Sequence, residues 1–331
     1  MSFKKSQLHF SNSLPKVDFK NQILVYDQIL SNKYSSWIKK FPRRYSVSSG
    51  ENLKDLKHFS SHLDTILKIS EGIPKDTMQI VVFGGGSVGD FGGFVASILK
   101  RGVGLIHIPS TWLSAIDSSH GGKTALNCAQ FKNQIGTFYP ADKVYLVKSV
   151  LSALPSERVF EALGEVYKIG LISGGGLWKN ISQIKVWDER QLWKLLPSLV
   201  QAKLKIVNKD PYEKKGLRHV LNLGHTVGHV LESASGLPHG YAVLLGTLFA
   251  LNWGKKRGIT QPRLTLPLDQ WILSNELAEI NNPGVYLSQD KKISAHSQIR
   301  YIFVKSPGKI VVTKVKISEL VTEWKRQALR V

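Results

Sequence analysis

The chain has 331 residues, 42% hydrophobic and 21% charged, and 45 Lys and Arg against 24 Asp and Glu give it a net charge of +21. That length admits two domains or one large one, no apolar run reaches the eighteen residues of a spanning helix, and the lysines at the start are not followed by the apolar stretch of a secretory signal. A single cysteine, Cys128, excludes an internal disulfide and suits a reducing cytoplasm; the basic residues are scattered, without an arginine-rich tail or an aromatic–basic motif, which favours an anionic small molecule over nucleic acid as the partner.

In chain order, FKNQILVYDQIL from residue 19 predicts a strand ending at Asp27. RRYSVSSGENLKDL predicts a second strand, a turn and a helix start, and HFSSHLDTILKISEGI a helix ending at Gly72. TMQIVVF is a short, β-branched apolar run followed at once by GGGSVGD and the apolar helix FGGFVASILKRG; GVGLIHIPST is another buried strand. Such alternation predicts a parallel sheet of the Rossmann-like α/β class with its ligand at the carboxyl ends of the strands. Beyond LSALPSE the texture changes to helix patterns with few strand signals. The expected organisation is an α/β nucleotide-binding domain over residues 1–150 and a mainly helical domain over 151–331.

Within GGGSVGD, Gly84, Gly85, Gly86 and Gly89 lie between strand and helix, where glycines permit positive φ and let backbone N–H groups approach a pyrophosphate. The spacing is not GxGxxG, and Asp90 argues for a hydrogen-bonding task beside simple anion cradling. The run PSTWLSAIDSSHGGKTALN…FKNQIGTFYP places Asp117, Ser118, Lys123, Asn127, Lys132 and Asn133 among small and apolar neighbours. It does not complete the phosphate loop GxxxxGK[ST], and several donors converging on an anionic substrate fit it better.

In LNLGHTVGHVLESASGLPHG, residues 221–240, His225 and His229 stand one helical turn apart, and His239 follows ten residues later. Histidines at this spacing beside glycines point to a metal site, and spacing alone pairs His225 with His229. Thr226 stands where HExxH needs its glutamate, which removes a metalloprotease reading.

Taken together, GENLK, GGGSVGDFGGFVA, PSTWLSAIDSSHGGKTALN, FKNQIGTFYP, ALGEVYKIGLI, EKKGLRHVLNLGHTVGHVLE, HGYAV and DKK resemble the 3-dehydroquinate synthase family of sugar-phosphate cyclases, in order and in spacing. The resemblance implies NAD and Zn2+ as cofactors, with Co2+ able to substitute. It implies conversion of 3-deoxy-D-arabino-heptulosonate 7-phosphate to 3-dehydroquinate and phosphate. In that reaction a ring hydroxyl is transiently oxidised, phosphate leaves, the hydride returns, and an intramolecular aldol step closes the carbocycle.

Carried over residue by residue, the resemblance makes Glu165, His225 and His239 the metal ligands and leaves His229 to face the substrate phosphate and assist proton transfer. Catalytic roles fall to His229, Lys123, Asp117 and Glu165. NAD is expected on Asp27, Glu51, Lys54, Gly84, Gly85, Gly86, Asp90, Ser110, Thr111, Asp117, Ser118 and Lys132. Substrate contacts are expected from Lys123, Asn133, Lys168, Lys203, Arg218, Asn222 and His229, from one of Lys291 and Lys292, and from Arg101 of a neighbouring subunit in a homodimer. Departures from the family pattern are Tyr241 where HGEAV has its glutamate, His120 in place of a small apolar residue, Ala153 in place of a threonine, and one extra residue in DPYEKKG. Rival readings are a cyclase for another sugar phosphate, a metal-dependent polyol dehydrogenase, and a basic nucleic-acid binder.

Overall fold

A computed structural model describes residues 4–16, 18–129, 131–267, 270–280, 282–288 and 298–329. The chain divides into two compact units, Met1–Arg158 with Glu189–Tyr212, and Val159–Asp188 with Glu213–Val331. Helix Glu189–Val207 therefore belongs with the sheet-bearing unit although it follows residue 150 in sequence. Its periodicity identifies a helix but carries no mark of which core its apolar face meets.

The first unit is built on a six-stranded, all-parallel sheet. Its strands are β1 (Gln7–Ser11), β2 (Gln22–Asp27), β3 (Arg43–Val47), β4 (Gln79–Gly84), β5 (Gly104–Pro109) and β8 (Lys143–Val147), in the order β1-β8-β5-β4-β2-β3. β2, β4 and β5 are buried almost throughout, as the continuous apolar runs ILVY, IVVF and LIHI require of strands covered on both faces. Edge-to-face contacts among Tyr34, Trp37, Phe41 and Phe83 fill part of the core on this sheet. The run Lys123–Phe138 forms an antiparallel hairpin, β6 (Lys123–Cys128) and β7 (Phe131–Phe138), with an irregularity between Leu126 and Cys128. Neither this hairpin nor β1 is picked out in the sequence reading: β7 is mostly exposed, and β1 and β6 are strands of only five and six residues, too short for a distinct periodic signal.

The second unit is mainly helical, with helices Glu157–Ser173 (the second unit takes it from Val159), His225–Ser235 and His239–Lys256 at its centre. These helices approach closely through glycine. A Cβ on Gly164 would lie 1.8 Å from the Gly240 carbonyl oxygen, and one on Gly240 would lie 1.5 Å from that of Glu161. One on Gly246 would lie 2.0 Å from that of Gly224. The unit also contains an antiparallel hairpin, β9 (Gln298–Ser306) and β10 (Lys309–Lys316), which the mainly helical expectation for this half omits. Its strand RYIFVK packs Tyr301 and Phe303 against Trp253, with ring centroids 4.8 and 5.3 Å apart. No helix of the described residues is long and apolar enough to cross a membrane.

Candidate active site

In the first unit the expected cofactor residues gather at the carboxyl edge of three adjacent strands. β2 ends at Asp27, β4 at Gly84, and β5 at Pro109, directly before Ser110 and Thr111. Asp27 is buried and accepts from Ile29 N at 3.2 Å; Ser110 N donates to Gly84 O at 2.9 Å. Thr111 caps the short helix Trp112–Ile116 by accepting from Ser114 N at 3.1 Å. Helix Gly86–Ile98 opens at the glycine turn with Gly85 as its N-cap, so its first amide groups point outward from the sheet edge. The expectation of positive φ in this turn fails, since Gly84, Gly85, Gly86 and Gly89 all lie outside the left-handed region. What excludes side chains is proximity. A Cβ on Gly84 would sit 2.6 Å from that of Val88, and one on Gly92 would sit 2.4 Å from Val82 Cγ2, which draws the helix down onto the sheet.

Lys54, buried at 3% exposure, donates to Asp90 Oδ2 at 2.7 Å and to Asn133 Oδ1 at 2.5 Å. Burial raises the Asp90 pKa against the downward pull of this ammonium. Asn127 joins the group by donating to Glu51 Oε2 at 2.7 Å and accepting from Asn133 N at 2.8 Å. Asn133, expected as a substrate contact, is thus also part of the Lys54 network, while Lys123 and Lys132 are exposed on the hairpin. Lys203 from helix Glu189–Val207 binds both the backbone carbonyl of Asp117 and its carboxylate, the latter at 2.5 Å. Gly89, Asp90, His107, Ser118, Ser119 and Lys123 line a cavity of about 10 Å³, room for about one water.

His120, one of the departures, is buried and contacts the Ala115 carbonyl through Nε2 at 2.8 Å. That bond requires Nε2–H, and burial with the nearby Lys203 lowers its pKa to about 3. His120 is therefore a neutral packing group. At Ala153 the backbone carbonyl accepts from Lys33 Nζ at 3.2 Å. Arg101 is exposed within Lys100–Gly102, three successive residues at φ 48, 64 and 103°, with Lys100 Nζ anchored on Ile73 O at 2.7 Å.

In the second unit Glu165 is fully buried, and its two oxygens face different partners. Lys168, one turn along the same helix, forms an ion pair with Oε2. Oε1 faces Nε2 of His225 at 3.7 Å and Nε2 of His239 at 3.9 Å. These separations approach the ~3.4 Å edge of a tetrahedron with ~2.1 Å bonds. Among the described residues, the group whose ligand atoms all lie within 4.8 Å of one another is Glu165, His225 and His239. His229 stands beside it, its ring 5.3 Å from His225 and 6.3 Å from His239, but outside the set. The pairing of His225 with His229 from spacing alone is thereby replaced by a pair drawn from two helices.

The outer nitrogens fix the tautomers. His225 Nδ1 contacts Leu223 O at 3.1 Å, and a carbonyl can only accept, so Nδ1 carries the hydrogen and Nε2 presents a lone pair. His239 Nδ1 likewise contacts Glu232 Oε2 at 2.9 Å. Burial, with Lys168 and the other two imidazoles, lowers the His225 pKa well below its ordinary value. At His239 burial also acts downward, but Glu232 and Glu165 outweigh it and the net shift is upward. One carboxylate oxygen and two imidazole lone pairs thus converge, a donor set that fits a divalent ion such as zinc.

Arg218 is buried and pairs with Glu213 through Nε at 3.4 Å. Asn222 contacts His219 at 3.4 Å. Lys291 and Lys292 lie outside the described residues. Glu232 is the contact that the sequence reading missed. A signal exists, because His225, His229 and Glu232 follow the i, i+4, i+7 pattern of one helical face.

The 3-dehydroquinate synthase N-terminal family model matches residues 44–161, and the 3-dehydroquinate synthase C-terminal model matches residues 162–293. The chain belongs to the 3-dehydroquinate synthase family. A 3-dehydroquinate synthase of Thermoplasma volcanium is 35% identical over 287 residues, covering 82% of this chain and 77% of the relative. The bifunctional shikimate kinase/3-dehydroquinate synthase of Thermotoga maritima is 37% identical over 84% of this chain, which spans only 57% of that longer protein. A solved 2-deoxy-scyllo-inosose synthase, complexed with carbaglucose-6-phosphate, NAD+ and Co2+, superposes with a TM-score of 0.79 at 22% identity, covering 96% of both chains. That likeness establishes a shared fold.

Proposed function

We propose that this protein is a 3-dehydroquinate synthase, converting 3-deoxy-D-arabino-heptulosonate 7-phosphate to 3-dehydroquinate and phosphate on the shikimate route. The observation that carries the reading is the convergence of Glu165 Oε1, His225 Nε2 and His239 Nε2 in a chain of this family. These three would hold a zinc ion, with cobalt able to replace it. NAD would lie at the carboxyl edge of β2, β4 and β5, over the glycine turn, Ser110, Thr111 and Ser118, with Lys132 and the group around Lys54, Glu51 and Asp90 alongside. When bound, the metal polarises a substrate hydroxyl and the nicotinamide takes up and returns its hydride.

The chain's own residues bind and orient the anion. Lys123, Asn133, Lys168, Lys203, Arg218 and Asn222 supply donors suited to carboxylate and phosphate, and the arginine allows a bidentate contact. Asp117 keeps Lys203 extended by accepting from it twice. His229, beside the metal set with its ring 5.3 Å from that of His225, would carry a proton to or from the substrate phosphate. The protein would act in the cytoplasm as a homodimer, with Arg101 on its strained turn reaching the neighbouring copy's substrate.

The decisive assay is phosphate release from the heptulosonate phosphate, with NAD and zinc present, before and after chelation. Phosphate should appear without net NADH and should stop on chelation. NADH accumulation from a simple polyol would instead mark a dehydrogenase, and release only from a neutral sugar phosphate would mark a different cyclase.

A further inference from the structure

The reading above rests on three ligands, and the structure adds a fourth residue that decides how one of them is presented. His239 is the first residue of helix His239–Lys256, so no preceding turn of that helix packs against its ring, which neighbours those of His225 and His229. Its ring is also the most exposed of the three ligand side chains, at 33% against 12% for His225 and 0% for Glu165. A side chain at a helix start and partly in water is the one whose rotamer and tautomer are least determined by packing. The carboxylate of Glu232, from helix His225–Ser235, accepts from His239 Nδ1 at 2.9 Å.

We propose that Glu232 is a positioning residue for the metal centre: it holds the His239 ring in the tautomer and orientation that turn Nε2 toward Glu165 and His225. A carboxylate behind a ligating imidazole also makes the ligand more basic, as a backbone carbonyl does less strongly for His225.

This assignment also accounts for Tyr241, the residue that stands where related sequences carry a glutamate beside the third ligand. A carboxylate at 241 is not what His239 uses, because Glu232 already occupies Nδ1. The Tyr241 hydroxyl instead lies in the field of Glu276, which, after burial, raises its pKa. Tyr241 is thus compatible with an intact metal site.

The test is the affinity of the metal-free full-length protein for zinc, measured by chelator competition, with the visible spectrum of the cobalt-loaded protein as a second readout. Glu232→Ala should weaken zinc binding about 10- to 100-fold and shift the cobalt bands, while the thermal midpoint of the metal-free protein stays near wild type. Glu232→Gln, which keeps an acceptor oxygen without the charge, should recover part of that loss. Tyr241→Phe should bind zinc as the wild type does. Wild-type zinc affinity and an unshifted cobalt spectrum in both Glu232 variants would overturn the positioning role while leaving the metal site intact. Absence of zinc binding in the wild type would overturn the metal-site reading and the positioning role together.

Discussion

Among the described residues three lysines are at most 4% exposed, and all three face carboxylates, yet the first unit and the second use them differently. Lys54 and Lys203 each close onto an aspartate that remains partly wet, and each has a second acceptor, Asn133 and the Asp117 carbonyl respectively. These contacts tie a hairpin, a helix and a loop together around residues expected to meet NAD and substrate. Lys168 faces a carboxylate with no exposure at all and pairs with its Oε2, while Oε1 points at two imidazole nitrogens. Three converging lone pairs repel one another unless a cation lies among them. The Glu165 pair differs from the other two in that its second oxygen is turned toward two imidazole nitrogens.

Breaking the imidazole side should have the largest effect. His225→Ala should abolish tight zinc binding and reduce phosphate release to the background rate, checked by metal analysis of the purified protein beside the release assay. Replacing His229 sharpens the same contrast, because it lies against the set without belonging to it. His229→Ala should retain the wild-type zinc content and lower turnover by about 10²- to 10⁴-fold, the range for loss of a general acid–base group. Loss of metal from that variant would move His229 into the ligand set.

Next in size is the packing that brings the ligand helices together. Gly240→Ala sets a methyl group 1.5 Å from the Glu161 carbonyl oxygen, backbone against backbone, where no flexible side chain can yield. A loss of about 3 kcal/mol or more in urea unfolding is expected, together with weaker zinc binding, since Glu165 and His239 flank the two contacting glycines. Ala at Gly176, where a Cβ meets nothing within 4 Å, should leave stability within about 0.5 kcal/mol.

The smallest effect concerns acid stability of the first unit. Burial lowers His107 to about 4 and His120 to about 3, whereas both titrate near 6.5 in an unfolded chain. Below pH 6.5 the unfolded state binds protons that the folded state refuses, so stability is intact above that pH and falls as pH drops through it. At pH 5.5 the loss is about 1.4 kcal/mol per histidine. Comparing urea midpoints at pH 7.5 and 5.5, His120→Val should remove its share of the difference. An unchanged pH dependence in that variant would mean that His120 gains a proton without cost in the folded state.

Much of the site was legible because its determinants are local. The glycine turn after a β-branched run and the histidines at 225 and 229 each sit within one or two helical turns, whereas Glu165 and Lys168 came only with the family resemblance. Less was legible where a residue's meaning depends on what stands opposite it. The glycines of the turn were read as licences for positive φ, which none of them adopts; Gly84 proves instead to be a point of close approach to Val88, as Gly92 within the helix is to Val82. His120 looked like a departure inside an active-site motif and is a neutral group on a backbone carbonyl.

By itself the sequence determined the family, the parallel sheet and the list of chemically competent side chains, because periodicity, turn composition and motif spacing are properties of short segments. The tertiary structure alone decided that Glu232 stands behind His239 and that helix Glu189–Val207 packs with the sheet-bearing unit. The first depends on how the turn between two consecutive helices swings His239 back, the second on which core a helix meets, and no periodicity within a single helix encodes either.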